Sequence, residues 1–157
     1  MEPPVPRWIR VGVSATLAVP QVLIGLWAVV APHSWFTSFP GFGPRLIAAE
    51  PPYNRHLASD AGAGFLATGV VLLVAVMWAN RTAVLTALVA YAAFTAPHVL
   101  YHAVHPADAL SGVTNVLDTL SIATGLGLAL LYARGTLAVR ERDRDARQDR
   151  SPAPLTT

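Results

Sequence analysis

Four stretches of this sequence, residues 11–31, 56–79, 82–105 and 111–133, are apolar almost throughout, and the only carboxylates inside them are Asp60 and Asp118. A helix needs about 20 such residues to cross about 30 Å of hydrocarbon, and lipid obliges each element to satisfy its own backbone polar groups. Four stretches of that length leave little else for the chain to be. The expected fold is all-α, an integral membrane four-helix bundle over residues 1–133, followed at 134–157 by a charged, largely disordered cytoplasmic tail. The first stretch is preceded by Arg7 and Arg10, as in a signal peptide, but it exceeds the usual apolar length of about 7–15 residues and reads as a retained helix.

Composition supports the bilayer as solvent, with 54% hydrophobic and 13% charged residues and a mean hydropathy of +0.47. The chain has no cysteine, so it carries no disulfide, thiolate or iron–sulfur chemistry of its own. A pI near 9.5 does not make nucleic acid the partner. Every basic residue is arginine, and six of the 11 lie beyond residue 133, interleaved with acids. With both termini cytoplasmic, nine arginines collect inside and only Arg45 and Arg55 fall outside. All five histidines then lie toward the external face, beside a loop at 32–55 with five prolines and the rings of Trp35, Phe36, Phe39, Phe42 and Tyr53. Such rings suit the headgroup layer.

Each span carries small or polar residues at spacings of three and four, which keep them on one helix face. These are Ser14, Ala18, Gln21, Gly25 and Ala28; His56, Asp60, Ala63 and Ala67; Tyr91, Thr95, His98, His102 and His105; and Ser111, Asn115, Asp118 and Gly125. Counting about 1.5 Å per residue from the external ends brings Asp60, His98, His102 and Asp118 to a shared depth. An ionised carboxylate at that depth costs several kcal/mol unless paired, and the imidazoles are the nearest donors.

His98, His102, Asp60 and Asp118 are therefore the candidate catalytic residues. The same four are a candidate metal set, since two imidazoles one turn apart and a carboxylate suit a divalent ion such as iron, zinc or manganese. His56, His105, Asn115 and Gln21 are rim or alternative positions. Haem fits less well, because two histidines one turn apart cannot take opposite axial positions. Tyr91 and Thr95 read as core residues with satisfied hydroxyls, and Gln21 as a residue that hydrogen-bonds a neighbouring helix.

Four short spans, a first loop rich in proline and aromatic residues, and "SDAGAGFLATGVVLL" opening the second span together resemble the DoxX-like membrane proteins, over roughly residues 10–133. The resemblance implies a four-helix bundle in a bacterial inner membrane, in some members tied to quinone or thiol redox systems. Taken with this resemblance, which implies the quinone link, the residues leave three functions: a quinone-linked redox subunit, a proton-coupled transporter of a small solute with Gln21 on its path, or a structural partner for another membrane subunit or for copies of itself.

Overall fold

A computed structural model of the chain describes residues 4–148, all of its regular structure helical. The first span is a continuous run of α1 (Arg7–Val13), a π-helical turn (Ser14–Ala18) and α2 (Val19–Val30). The wide turn sits directly ahead of Pro20, whose ring lacks an N–H and crowds the carbonyl four residues back. A short α3 (Pro32–Ser38) and a 3-10 turn (Ile47–Ala49) follow, so the proline-rich loop is partly helical. The other spans are α4 (Arg55–Trp78), α5 (Arg81–Val104) and α6 (Gly112–Gln148).

Asparagines start two of these helices. Asn54 Oδ1 accepts from Leu57 N–H and Asn80 Oδ1 accepts from Ala83 N–H, each at 3.1 Å, meeting a backbone donor that the first turn leaves open. The last helix does not stop at residue 133. It reaches Gln148, where a largely disordered tail was expected, because the sequence from 136 to 148 contains neither glycine nor proline and is rich in arginine, alanine and acidic residues. The rest of that tail, 149–157, lies outside the described residues.

Four helices, Arg7–Val30, Arg55–Trp78, Arg81–Val104 and Gly112–Val139, are long and apolar enough to cross a membrane. Large apolar side chains point outward on all of them, including Leu23, Val70, Val89 and Leu131. Water would not tolerate that belt, and lipid suits it.

The order in space follows the chain. α2 packs on α4, α4 on α5 and α5 on α6, while α1 and the π turn close the ring against α6. At one end, Val5 N–H donates to the Ala79 carbonyl at 2.9 Å and Arg10 Nε–H to the Val76 carbonyl at 2.9 Å, tying the start of the chain to the α4–α5 turn. The antiparallel course puts every histidine at the opposite end.

Glycine decides how closely α2 and α4 pack. A Cβ on Gly25 would stand 2.4 Å from the Leu66 nitrogen, and one on Gly62 would stand 2.9 Å from the Val29 nitrogen. That contact turns Ala58, Gly62 and Gly69 inward. It therefore turns His56, Asp60, Ala63 and Ala67 outward, reversing the face expected for α4. Alanine and glycine share the helical period, but only glycine lets two backbones come this near.

The main core, including Ile9, Val13, Leu17, Leu72, Val84 and Leu88, fills the half of the bundle nearer the arginines. A second cluster of Ala28, Trp35 and Ala58 lies toward the histidine end. α2 and α6, joined through α1 and the π turn lower down, do not pack on each other.

Candidate functional site

The space that separates α2 from α6 is a cavity of about 740 Å³. Its walls are mostly apolar and aromatic, with Leu17, Ile24, Phe65, Tyr91, Phe94 and Leu128 among them. Residues of the loop, including Phe39, Phe42, Leu46 and Ile47, cover it on the histidine side. That loop turns on Gly41 and Gly43, which hold φ at +96° and +66°. Leu117 lines the cavity although it is 61% exposed, so the space reaches the bundle surface beside α6.

One wall is polar. His98 and His102, four residues apart on α5, bring their Nε2 atoms to 3.1 Å, and His102 Nδ1 lies 3.0 Å from Asp118 Oδ2 on α6. Both members of the second contact are well covered, with side-chain exposures of 23% and 11%. The helical spacing gives the first contact, and the close packing of α5 on α6 gives the second. Phe65 and Phe94 flank the His98 ring, with centroids 6.1 and 6.4 Å away.

The protonation pattern follows from one premise, an ionised Asp118. His102 Nδ1–H then donates to the carboxylate, and its Nε2 becomes the acceptor for His98 Nε2–H. This leaves Nδ1 of a neutral His98 as a base. A proton accepted there can be matched by the transfer of the Nε2 hydrogen to His102 and of the Nδ1 hydrogen of His102 to Asp118. Proton transfer along this chain requires no movement of the backbone.

Of the four expected catalytic and metal residues, His98, His102 and Asp118 are brought together and Asp60 is not. Asp60 Oδ2 pairs instead with His56 Nε2 at 3.3 Å on the outer face of α4, where both side chains are more than half exposed. The expected metal set is therefore not assembled. Among the described residues no three His, Asp or Glu side chains converge in a way that could hold a metal ion, and the two facing Nε2 atoms are engaged with each other.

The rim positions also differ in role. Gln21 is buried and lines the cavity. Asn115 fixes the α5–α6 turn, accepting from Ala107 N–H at 3.0 Å and donating to the Ala107 carbonyl at 3.1 Å. His105 is exposed, stacked on Tyr101 with centroids 4.7 Å apart, and its Nδ1 lies 3.2 Å from the Tyr101 carbonyl.

Thr95 departs furthest from its sequence reading. Six helical threonines, at 16, 37, 68, 119, 124 and 136, donate to the carbonyl four residues earlier. Thr95 is 2% exposed, yet among the described residues its hydroxyl has no hydrogen-bond partner, and neither do Gln21 Oε1 and Trp35 Nε1. All three residues line the cavity. The i, i+3 step from Thr95 to His98 was visible in the sequence, but nothing there distinguished a satisfied hydroxyl from an open one. Compared with family models, curated proteins and solved structures, the chain matches none of them.

Proposed function

We propose that this chain is a membrane protein that binds a lipid-soluble aromatic ligand in the cavity and exchanges a proton with it through His98, His102 and Asp118. The observation that carries this reading is the hydrogen-bonded His–His–Asp chain on the wall of an otherwise apolar, ring-lined space. Apolar lining selects molecules that already partition into lipid, and a few convergent polar groups fix their orientation. Ionisable groups inside a span are costly and so point to proton handling.

In its redox form the ligand is a quinone. The relay takes up one proton at a time, which suits oxidation of the quinol: the quinol would lose two electrons to a partner subunit and two protons, one after the other, to His98 Nδ1, each passing on to water before the next. We infer further that both termini face the cytoplasm, since arginine crowds the end opposite the histidines.

Naphthol tests the proton step, because its neutral and ionised forms fluoresce at different wavelengths. In lipid nanodiscs, naphthol bound to the wild type is expected to emit largely as naphtholate, and naphthol bound to His98→Phe, which keeps a ring but lacks the accepting nitrogen, largely as the neutral form. Neutral-form emission from both proteins, or no binding by the wild type, refutes the reading.

A further inference from the structure

A second recess lies on the outside of the bundle, at the arginine end, and shares no lining residue with the cavity. It is an open groove of about 540 Å³ between the first span and the end of α4. Arg7, Arg10, Val11, Ala15 and Val19 form one side of it, and Met77 is on the other. Steps of three and four residues put the first five on one helix face, and the π turn carries that face onward, since Ala18 is fully buried whereas Val19 is 43% exposed. Met77 is 75% exposed, so the groove opens sideways, away from the core.

Its two ends differ in chemistry. Arg7 and Arg10 are its only charged residues, both stand where the span begins, and neither has an ion-pair partner among the described residues. The bond from Arg10 Nε–H to the Val76 carbonyl holds that guanidinium in place and leaves four N–H donors on its terminal nitrogens. Arg7 is exposed on the same face. Beyond them Val11, Ala15 and Val19 continue the wall without charge. From Arg7 to Val19 the helix rises about 18 Å, the depth of one leaflet of a bilayer whose hydrocarbon is about 30 Å thick. A free anion would use the arginines alone, and an uncharged lipid the apolar wall alone. An amphiphile with an anionic head uses both, in the order the groove presents them. Phosphate oxygens suit guanidinium groups, whereas a choline headgroup would bring a like charge beside them.

We propose that the groove binds one anionic phospholipid, with its phosphate at Arg7 and Arg10 and an acyl chain along Val11, Ala15 and Val19. This site is independent of the cavity and of what the cavity binds. It makes one lipid part of the joint between α1 and α4, which Arg10 already ties together through the Val76 carbonyl.

Native mass spectrometry of the full chain, released from detergent micelles that hold equal amounts of dioleoyl phosphatidylglycerol and dioleoyl phosphatidylcholine, tests the site. Wild type is expected to retain one phosphatidylglycerol, with a preference of about 30-fold over phosphatidylcholine. Arg7→Gln and Arg10→Gln should each reduce that preference to about fivefold, and the double variant to about one. Arg134→Gln removes an exposed arginine outside the groove and should keep the full preference. Ala15→Phe, at an exposed position on the apolar wall, should lower retention by obstructing the acyl chain. Millimolar inorganic phosphate should displace nothing. Equal retention of the two lipids by wild type overturns the proposal, as does an unchanged preference in Arg7→Gln. An equal loss in Arg134→Gln would mean that diffuse charge attracts the lipid and that no groove selects it. Displacement by inorganic phosphate, or full retention in Ala15→Phe, would reduce the site to one for a free anion and overturns it too. Should Arg10→Gln fail to fold for want of its bond to Val76, Arg7→Gln decides alone.

Discussion

Asp118 joins two demands that conflict elsewhere in the membrane, a charge and a buried position. Its carboxylate is tolerable because His102 Nδ1–H meets it at 3.0 Å, and the histidine in turn holds its tautomer because of the carboxylate. Substitution separates the two roles. Asp118→Ala leaves His102 without its acceptor and is expected to lower stability by about 1–3 kcal/mol. Asp118→Asn keeps an acceptor in place and is expected to lower it by less. Thermal unfolding of both variants in one detergent checks this; equal losses would mean that charge, not hydrogen bonding, holds the contact. Asp60 obeys the same physics with a different outcome. It faces outward near a helix end and pairs with His56, both side chains more than half exposed.

At the scale of the element, the α2–α4 contact is the tightest joint in the bundle, and backbone opposes backbone there. Gly25→Ala would bring a methyl group to 2.4 Å from the Leu66 nitrogen, which no rotamer change relieves, and overpacking of this kind costs about 1–3 kcal/mol. Gly127→Ala meets nothing within 4 Å and, in the middle of α6, should be neutral or stabilising by up to about 1 kcal/mol. Parallel melts of the two variants test this joint. Near-equal midpoints would show that α2 and α4 can part without penalty.

These elements also mark what the sequence could tell. Apolar length located all four spans, and helical period placed Gln21, Thr95, His98, His102 and Asp118 on inward faces. Period failed on α4, where Asp60, Ala63 and Ala67 repeat as regularly as Gly62 and Gly69. Which face turns inward there depends on how near α2 can come, a property of the pair of helices and not of either alone. The covering role of the 39–50 loop was hidden for a similar reason, since a loop rich in rings suits a headgroup layer and a cavity roof equally well.

For the whole molecule, the absence of native cysteine makes topology directly measurable. Phe42→Cys, at an 80% exposed position of the cover loop, is expected to react with a membrane-impermeant maleimide on intact cells. Glu141→Cys, exposed on the far extension of α6, is expected to react only after permeabilisation. The opposite pattern would invert the arginine-based orientation. α6 is also the span least enclosed by the others, with 6% of its apolar window buried against 28% for each of the remaining three. Its outward side is the surface most available to lipid.

The parting of α2 from α6 sets the currency in which occupancy is counted. A guest arriving sideways through that parting is drawn from the surrounding leaflet, so saturation tracks its mole fraction among the lipids and not its aqueous molarity. Diluting the buffer at fixed membrane composition should leave the bound fraction unchanged. Adding guest-free vesicles should strip the protein in proportion to the lipid supplied.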